Sequence, residues 1–199
     1  MKLITSVLVF ALAWLILTAT NQPAAGDTAV PLAAYATALP PAPLGAGWET
    51  AVNQAAPSPT STGAPPVWVS SPAIGLDTAV TPAALDSTPA SGVGWWNESG
   101  APGAPGNVVL FGHNYSSFAA LERAQIGDQI SVETSSGAFR YVIAERHILP
   151  EEGQSQATRE ANGRWVLPFG DERLTLVTCW PFPNGTSHRL VIVAKGVTS

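Results

Sequence analysis

The stretch RLTLVTCW at residues 173–180, followed by HRLVIVAK at residues 188–195, decides the fold of this chain. Both stretches are rich in β-branched and other apolar residues, which is typical of β-strands. Between them lies Pro183-Asn184-Gly185, a turn signal. Paired as an antiparallel hairpin, the two strands would place Cys179 at the end of one and Arg189 at the start of the next.

Further strand patterns precede this hairpin. The run NVVLF at 107–111 is continuously apolar, as in a strand buried on both faces. Other strand-like stretches lie at 67–69, 129–134 and 139–148, and turn clusters such as 100–106 separate them. The segment SSFAALERA at 116–124 predicts a short helix, with Ser116 or Ser117 as N-cap. Six or more short strands with one helix predict an all-β fold, a closed or nearly closed barrel.

Composition narrows the class of protein. A length of 199 residues allows one ordinary domain with appendages. The charged fraction of 12% is about half the usual ~25%, whereas the apolar fraction of 46% is ordinary. Only nine residues are Lys or Arg and the net charge is -5, which argues against a nucleic-acid partner. One cysteine excludes an internal disulfide and a Cys-rich zinc site.

The N-terminal segment 1–20 is predicted to be a membrane anchor. Residues 3–20 are uncharged, and as a helix they would span roughly 27 Å, close to the ~30 Å hydrocarbon core. The alternative is a cleaved signal peptide, with 24–26 (AAG) as the best cleavage site. Lys2 is followed by no Lys or Arg before Arg123, so the positive-inside rule directs the rest of the chain outward. We therefore expect a single-pass protein of the cell membrane whose C-terminal domain is extracellular.

Residues 21–66 are predicted to be a disordered spacer. Nine of the eighteen prolines lie there, among Ala, Thr, Ser and Gly. Such a segment has no periodic apolar face to bury and favours extended conformations. The composition changes at Val67, and residues 67–199 are long enough to bury one core. We predict that this stretch is the folded domain of the chain.

Cys179 is the first residue that could carry chemistry. A lone cysteine is usually a small buried hydrophobe. In an exported chain, however, an unpaired thiol is exposed to oxidation and is usually avoided unless it is useful. The alternation of its strand puts Cys179 on one face with Thr175 and Val177. Pro181 then ends the strand, because proline donates no backbone hydrogen bond.

Arg189 and a histidine are the natural partners of such a thiol. A guanidinium across the mouth of the hairpin can stabilise the oxyanion of a tetrahedral intermediate. A catalytic cysteine also needs an imidazole, which stabilises the thiolate or protonates a leaving amine. His113, His147 and His188 are the candidates, and sequence spacing does not choose among them.

Three motifs resemble the sortases, the cysteine transpeptidases of the bacterial cell surface. They are GHN at 112–114, TLVTC at 175–179 and HRLVIVA at 188–194, and IGDQI at 126–130 is also similar to that family. The resemblance covers about residues 67–199 and implies an eight-stranded barrel with one or two short helices. Carried over by position, it makes Cys179 the nucleophile, His113 the general acid and base, and Arg189 the clamp for substrate carbonyl and oxyanion. Thr178 and Trp180, which flank the cysteine, are predicted to bind substrate.

The resemblance also implies the reaction and its partners. The expected activity cleaves a Leu-Pro-x-Thr-Gly-like sorting motif of surface proteins between Thr and Gly. The acyl group then passes to an amine, from a peptidoglycan precursor or a pilin lysine. Two alternatives are a cysteine endopeptidase, with water as acceptor, and a non-catalytic surface module.

No cofactor and no metal are expected. Some sortases bind calcium through an acidic cluster in the loop before the histidine, but residues 97–107 contain only Glu98. The pair Glu151-Glu152, in a later loop, is interpreted as a solvated turn.

Overall fold

Eight β-strands form one closed sheet in the computed structural model, which describes residues 63–197. This confirms the predicted all-β, eight-stranded barrel. In chain order the strands are β1 (Pro66–Ser71), β2 (Leu76–Ala83), β3 (Val93–Trp96), β4 (Gly106–Phe111), β5 (Gln129–Thr134), β6 (Gly137–Pro150), β7 (Glu172–Trp180) and β8 (His188–Gly196).

The strand order around the barrel is β1-β2-β3-β4-β7-β8-β6-β5, and β5 pairs with β1 to close it. Two neighbouring pairs, β2–β3 and β4–β7, are parallel, and the others are antiparallel. Because β4 and β7 run in the same direction, their carboxyl ends reach the same rim of the barrel. The β7–β8 connection begins at that rim.

The sequence did not indicate β2 or β3. In β2 the buried residues Leu76 and Val80 are separated by polar or exposed positions, and Pro82 interrupts the pattern. β3 has only four residues, and one of them is Gly94. A Cβ at Gly94 would lie 2.6 Å from Cζ of Phe111, so the ring of Phe111 fills the space of the missing side chain. The glycine that weakens the strand signal is therefore required by packing.

The helices differ from the prediction. A 3-10 helix occupies Ala119–Arg123, and its N-cap is Phe118 with no side-chain hydrogen bond. Ser116 and Ser117 as N-cap were therefore wrong. No pattern in the sequence indicated α1 (Gln156–Gly163), which a 3-10 turn at Arg164–Val166 follows. Its N-cap Ser155 accepts a hydrogen bond from the Thr158 N–H at 3.2 Å, and α1 has no apolar stripe from which to predict it.

Two apolar clusters lie on either side of β4, all of whose residues are buried as predicted. The interior cluster includes Val108 and Leu110, together with residues of β7 and β8 at alternate positions: Leu174, Leu176, Leu190 and Ile192. The outer cluster joins Val109 and Phe111 to Trp96 and Val166. Burying a side chain of this kind contributes roughly 1.5–3 kcal/mol.

Polar contacts connect the strands at the other rim of the barrel, where β7 begins. Asp171 accepts hydrogen bonds from Arg173 Nε at 2.9 Å and from Lys195 Nζ. Burial raises the pKa of Asp171, but these two cations outweigh it and hold the pKa below its ordinary value. Tyr141 donates to Glu172 Oε1 at 3.0 Å, and burial raises the pKa of this phenol well above its usual range.

The predicted anchor at 1–20 and nearly all of the predicted spacer at 21–66 lie outside the described residues. Within residues 63–197, no helix is long and apolar enough to cross a membrane. Pro66 already pairs with Thr134, so β1 begins one residue before the boundary predicted at Val67.

Candidate active site

Cys179 and Arg189 face each other across the β7–β8 pair, as the hairpin prediction required. The two are direct register partners near the ends of their strands. Directly opposed residues of antiparallel strands have Cβ atoms about 4.5–5.5 Å apart. Leu176 and Leu190 point into the interior cluster, so strand alternation places Cys179 and Arg189 on the outer face of the barrel. Cys179 is half-buried and carries a free thiol.

His113 follows β4, the parallel neighbour of β7. The register pairs Phe111 with Val177, and two further residues bring His113 level with Cys179. Phe111 and Val177 both belong to the outer cluster, and alternation continued beyond β4 would put His113 on the same face as the thiol. Of the three histidines, His113 is the one that the strand register aligns with Cys179.

Two hydrogen bonds tie the chain before His113 to β7. The Gly112 N–H donates to the Val177 carbonyl at 3.2 Å, and the Thr178 hydroxyl donates to the Gly112 carbonyl at 2.8 Å. Thr178 is 3% exposed and lies on the interior face, opposite to the face of the thiol. The contact thus holds the end of β4 beside Cys179. The predicted role of Thr178 in substrate binding stays a prediction.

Asn114 ties the segment of His113 to the β7–β8 connection. Its side chain is buried, and Nδ2 donates to the carbonyls of Pro181 and Gly185, each at 3.0 Å. Sequence reasoning gave this residue no role, and its place directly after His113 is the signal that could have found it. Tyr115 stacks on the His113 ring, with centroids 4.8 Å apart and planes 17° apart.

The other two histidines have different surroundings. His147 Nε2 lies 3.0 Å from Glu145 Oε2, and its ring contacts Trp165 with centroids 4.1 Å apart. His188 is the register partner of Trp180, on the face opposite to Arg189, and its Nδ1 lies 2.9 Å from Ser187 Oγ. Neither residue is level with Cys179 in the sheet register.

Trp180 directly follows Cys179 but points the other way. Its ring packs against the interior cluster, meets Phe182 edge to face at 5.3 Å, and lies beneath the Arg146 guanidinium at 5.3 Å. These contacts give Trp180 a role in closing the end of the barrel. Its predicted role in binding substrate stays a prediction.

A cleft of about 340 Å³, open to solvent, lies beside Arg189 on the outer face. It lies between α1 with its following turn and the strands β6, β7 and β8, and most of its lining is apolar. Its lining residues are Leu149, Glu151, Asn162, Gly163, Trp165, Val166, Val177, Arg189 and Val191. An extended peptide that reaches Cys179 would find an apolar wall there.

The prediction that Glu151 and Glu152 form a solvated turn is wrong for Glu151. This residue is 9% exposed, and its Oε1 accepts a hydrogen bond from Asn162 Nδ2 at 3.2 Å. Its backbone N–H donates to the Ser187 carbonyl at 2.9 Å, which joins the end of β6 to the β7–β8 connection. Glu152 is exposed, as predicted.

Within residues 63–197, no group of three or more His, Cys, Asp or Glu side chains is arranged to hold a metal ion. The groups near this rim are instead the Cys179 thiol, the His113 imidazole and the Arg189 guanidinium. Such a set can perform nucleophilic attack, proton transfer and oxyanion stabilisation.

Relatives of known structure share this barrel. The chain resembles sortase C1 of Streptococcus agalactiae (TM-score 0.55, 20% identity, covering 67% of each chain). It also resembles a Clostridium perfringens sortase D5 transpeptidase (TM-score 0.54, 21% identity, covering 67% of this chain and 79% of that chain). At these identities the likeness establishes the fold.

Sequence comparison shows which family the chain belongs to. It is 32% identical over 109 residues to sortase D of Bacillus subtilis (strain 168), a match that covers 54% of this chain and 51% of that protein. The chain thus spans about half the length of this curated relative. A family model described as the sortase domain matches residues 69–197, which include every residue of the site above. The chain belongs to the sortase family.

Proposed function

We propose that this protein is a cysteine transpeptidase that cleaves a Leu-Pro-x-Thr-Gly-like sorting motif between Thr and Gly. One observation supports the proposal: Cys179 on β7 pairs directly with Arg189 on β8, and His113 follows the end of β4, the parallel neighbour of β7, at the same rim. Strand backbones set this alignment, so the site is preorganised for chemistry.

In the proposed first half-reaction, the Cys179 thiolate attacks the carbonyl carbon of the motif threonine. The carbonyl π electrons move to oxygen, and Arg189 stabilises the resulting oxyanion. Collapse of this intermediate breaks the C–N bond to glycine, and His113 protonates the departing amine. The products are a thioester on Cys179 and a free peptide that begins with glycine.

In the second half-reaction an acceptor amine attacks the thioester. His113 takes a proton from the amine as the new amide bond forms, and the Cys179 thiolate leaves. The proposed acceptor is an amine of the cell surface, from a peptidoglycan precursor or a pilin lysine. A cysteine endopeptidase would follow the same path with water in this step.

The product distribution separates these functions. The full chain is incubated with a Leu-Pro-Ala-Thr-Gly peptide, with and without triglycine, and products are read by mass. A transpeptidase yields the peptide joined to triglycine, whereas an endopeptidase yields the free acid in both reactions. A non-catalytic module yields neither, and that result, if Cys179 also resisted thiol-reactive substrate analogues, would refute the proposal.

We further propose that segment 1–20 anchors the protein in the cell membrane and that the barrel lies outside. The support is the uncharged run at 3–20 and the absence of Lys and Arg between Lys2 and Arg123. Protease added to intact cells should digest the barrel, and alkaline carbonate should leave the chain with the membrane. A barrel protected in intact cells would contradict the proposed orientation.

A further inference from the structure

We infer that Glu151 selects sorting peptides with a basic side chain at the position just before the motif leucine. This inference rests on the proposed function and adds to it a preference for charge at one position of the substrate. The observation behind it is that the buried carboxylate of Glu151 lies in the wall of the cleft beside Arg189.

The carboxylate of Glu151 has little compensation within the protein. Its hydrogen-bond donor is the neutral amide of Asn162, at 3.2 Å, and Asn162 also donates to the Pro150 carbonyl. It forms no ion pair with any Lys, Arg or His of residues 63–197. A buried carboxylate without a cation is unfavourable, so a cationic ligand that entered the cleft would gain a charge-assisted hydrogen bond.

The strand register fixes the position along the peptide. Cys179 is level with Arg189, which is level with Leu149 on β6. Two strand spacings of about 4.8 Å and two residues of about 3.3 Å place Glu151 roughly 12 Å from Cys179. An extended peptide covers that distance in three or four residues. From the motif threonine, this reaches the leucine and the residue before it.

The apolar lining of the cleft indicates which half of the sorting peptide, before or after the scissile bond, binds there. Val177, Val191 and Trp165 line the same cleft as Arg189 and Glu151. They suit the leucine and proline of the acyl half, whereas the leaving glycine has no apolar side chain to bury. The acceptor amine is the other cation that could enter the cleft, so the KM of triglycine as acceptor is measured as well.

The test compares three peptides with Lys, Ala or Glu before Leu-Pro-Ala-Thr-Gly. The value of kcat/KM is measured for the full-length wild type, for E151Q and for the matched control E152Q, whose side chain is exposed at the next position. We expect the wild type and E152Q to prefer Lys over Glu by about tenfold or more, as charge-assisted hydrogen bonds of this kind allow. In E151Q the ratio should fall towards one, and the amide oxygen should still accept from Asn162.

An equal Lys-to-Glu ratio in the wild type and E151Q would overturn the inference. So would an E151Q effect confined to the KM of the acceptor amine, because the carboxylate would then serve the second substrate. Cleavage of all three peptides without preference refutes the inference and leaves the proposed function intact. If the wild type cleaves none of them and no thioester forms, the proposed function fails and the inference with it.

Discussion

Asn114→Ala tests how the rim of the barrel is held together. The substitution removes the two hydrogen bonds that Nδ2 donates to the carbonyls of Pro181 and Gly185, each 3.0 Å long. A hydrogen bond of this type contributes about 1 kcal/mol, and an unpaired buried carbonyl costs more. The Pro181 carbonyl keeps the hydrogen bond that it accepts from the Gly185 N–H at 2.8 Å, and Pro181 is exposed to water, so we expect a total loss of about 2 kcal/mol in the free energy of unfolding.

The same change should also slow the reaction. Residues 181–187 connect Cys179 to Arg189, so their release from Asn114 lets the two strand ends move relative to His113. We expect kcat to fall by more than tenfold, since misplacing a catalytic group by about 1 Å costs up to 100-fold. Urea unfolding followed by tryptophan fluorescence measures the free energy of unfolding, and peptide cleavage measures kcat.

Two variants serve as controls. Asn114→Asp keeps the size of the side chain but lacks the two N–H donors and turns a buried carboxylate towards two carbonyl oxygens, so it should lose at least as much stability as Asn114→Ala. Asn97→Ala removes an exposed amide of the same type and should match the wild type in stability and kcat. An Asn114→Ala protein within 0.5 kcal/mol of the wild type, with an unchanged kcat, would refute the reasoning; such a difference is that of an ordinary surface substitution.

Three further outcomes follow from the structure. Gly94→Ala places a Cβ 2.6 Å from Cζ of Phe111, and overpacking of this kind should lower the free energy of unfolding by about 1–3 kcal/mol in urea titration. Asp171 has a lowered pKa, so its carboxylate stabilises the fold above about pH 4 and loses this effect as the pH falls through the folded-state pKa. Asp171→Asn should therefore lower the free energy of unfolding by up to about 1 kcal/mol at pH 7 and by less at pH 2; an equal loss at both pH values would contradict this. In a cleavage assay, His113→Ala should reduce kcat by orders of magnitude and His147→Ala far less. Equal losses in the two variants would contradict the assignment of His113 as the general acid and base.

The sequence predicted those parts of the fold that rest on local pattern. The apolar run of β4 and the alternation of β7 and β8 carry their own strand signals, and the proline after Trp180 ends β7. The opposition of Cys179 and Arg189 then follows from the pairing of two strands. β2 and β3 were not predicted. Pro82 interrupts the strand pattern of β2, and β3 contains Gly94, where the ring of Phe111 leaves no room for a side chain.

The remaining parts of the site depend on distant contacts. Asn114 gains its role from carbonyls that lie 67 and 71 residues later in the chain. The Glu151 side chain packs beside Asn162 and its backbone N–H is bonded to the β7–β8 connection, whereas a pair of adjacent glutamates ordinarily indicates solvent. Strand alternation turns Trp180 into the interior, which its adjacency to Cys179 in the sequence did not indicate.

The most direct test of the account is the mass of the intact protein after brief exposure to a Leu-Pro-Ala-Thr-Gly peptide and an acid quench. We predict that the wild type gains the mass of the acyl group that ends in threonine, less the mass of the thiol hydrogen that this group replaces. The added mass should map to Cys179 and be released by hydroxylamine, as expected of a thioester. Cys179→Ala should fold and gain no mass. Cleavage of the peptide by Cys179→Ala, or an acyl group mapped to another residue, would contradict the claim that Cys179 is the nucleophile.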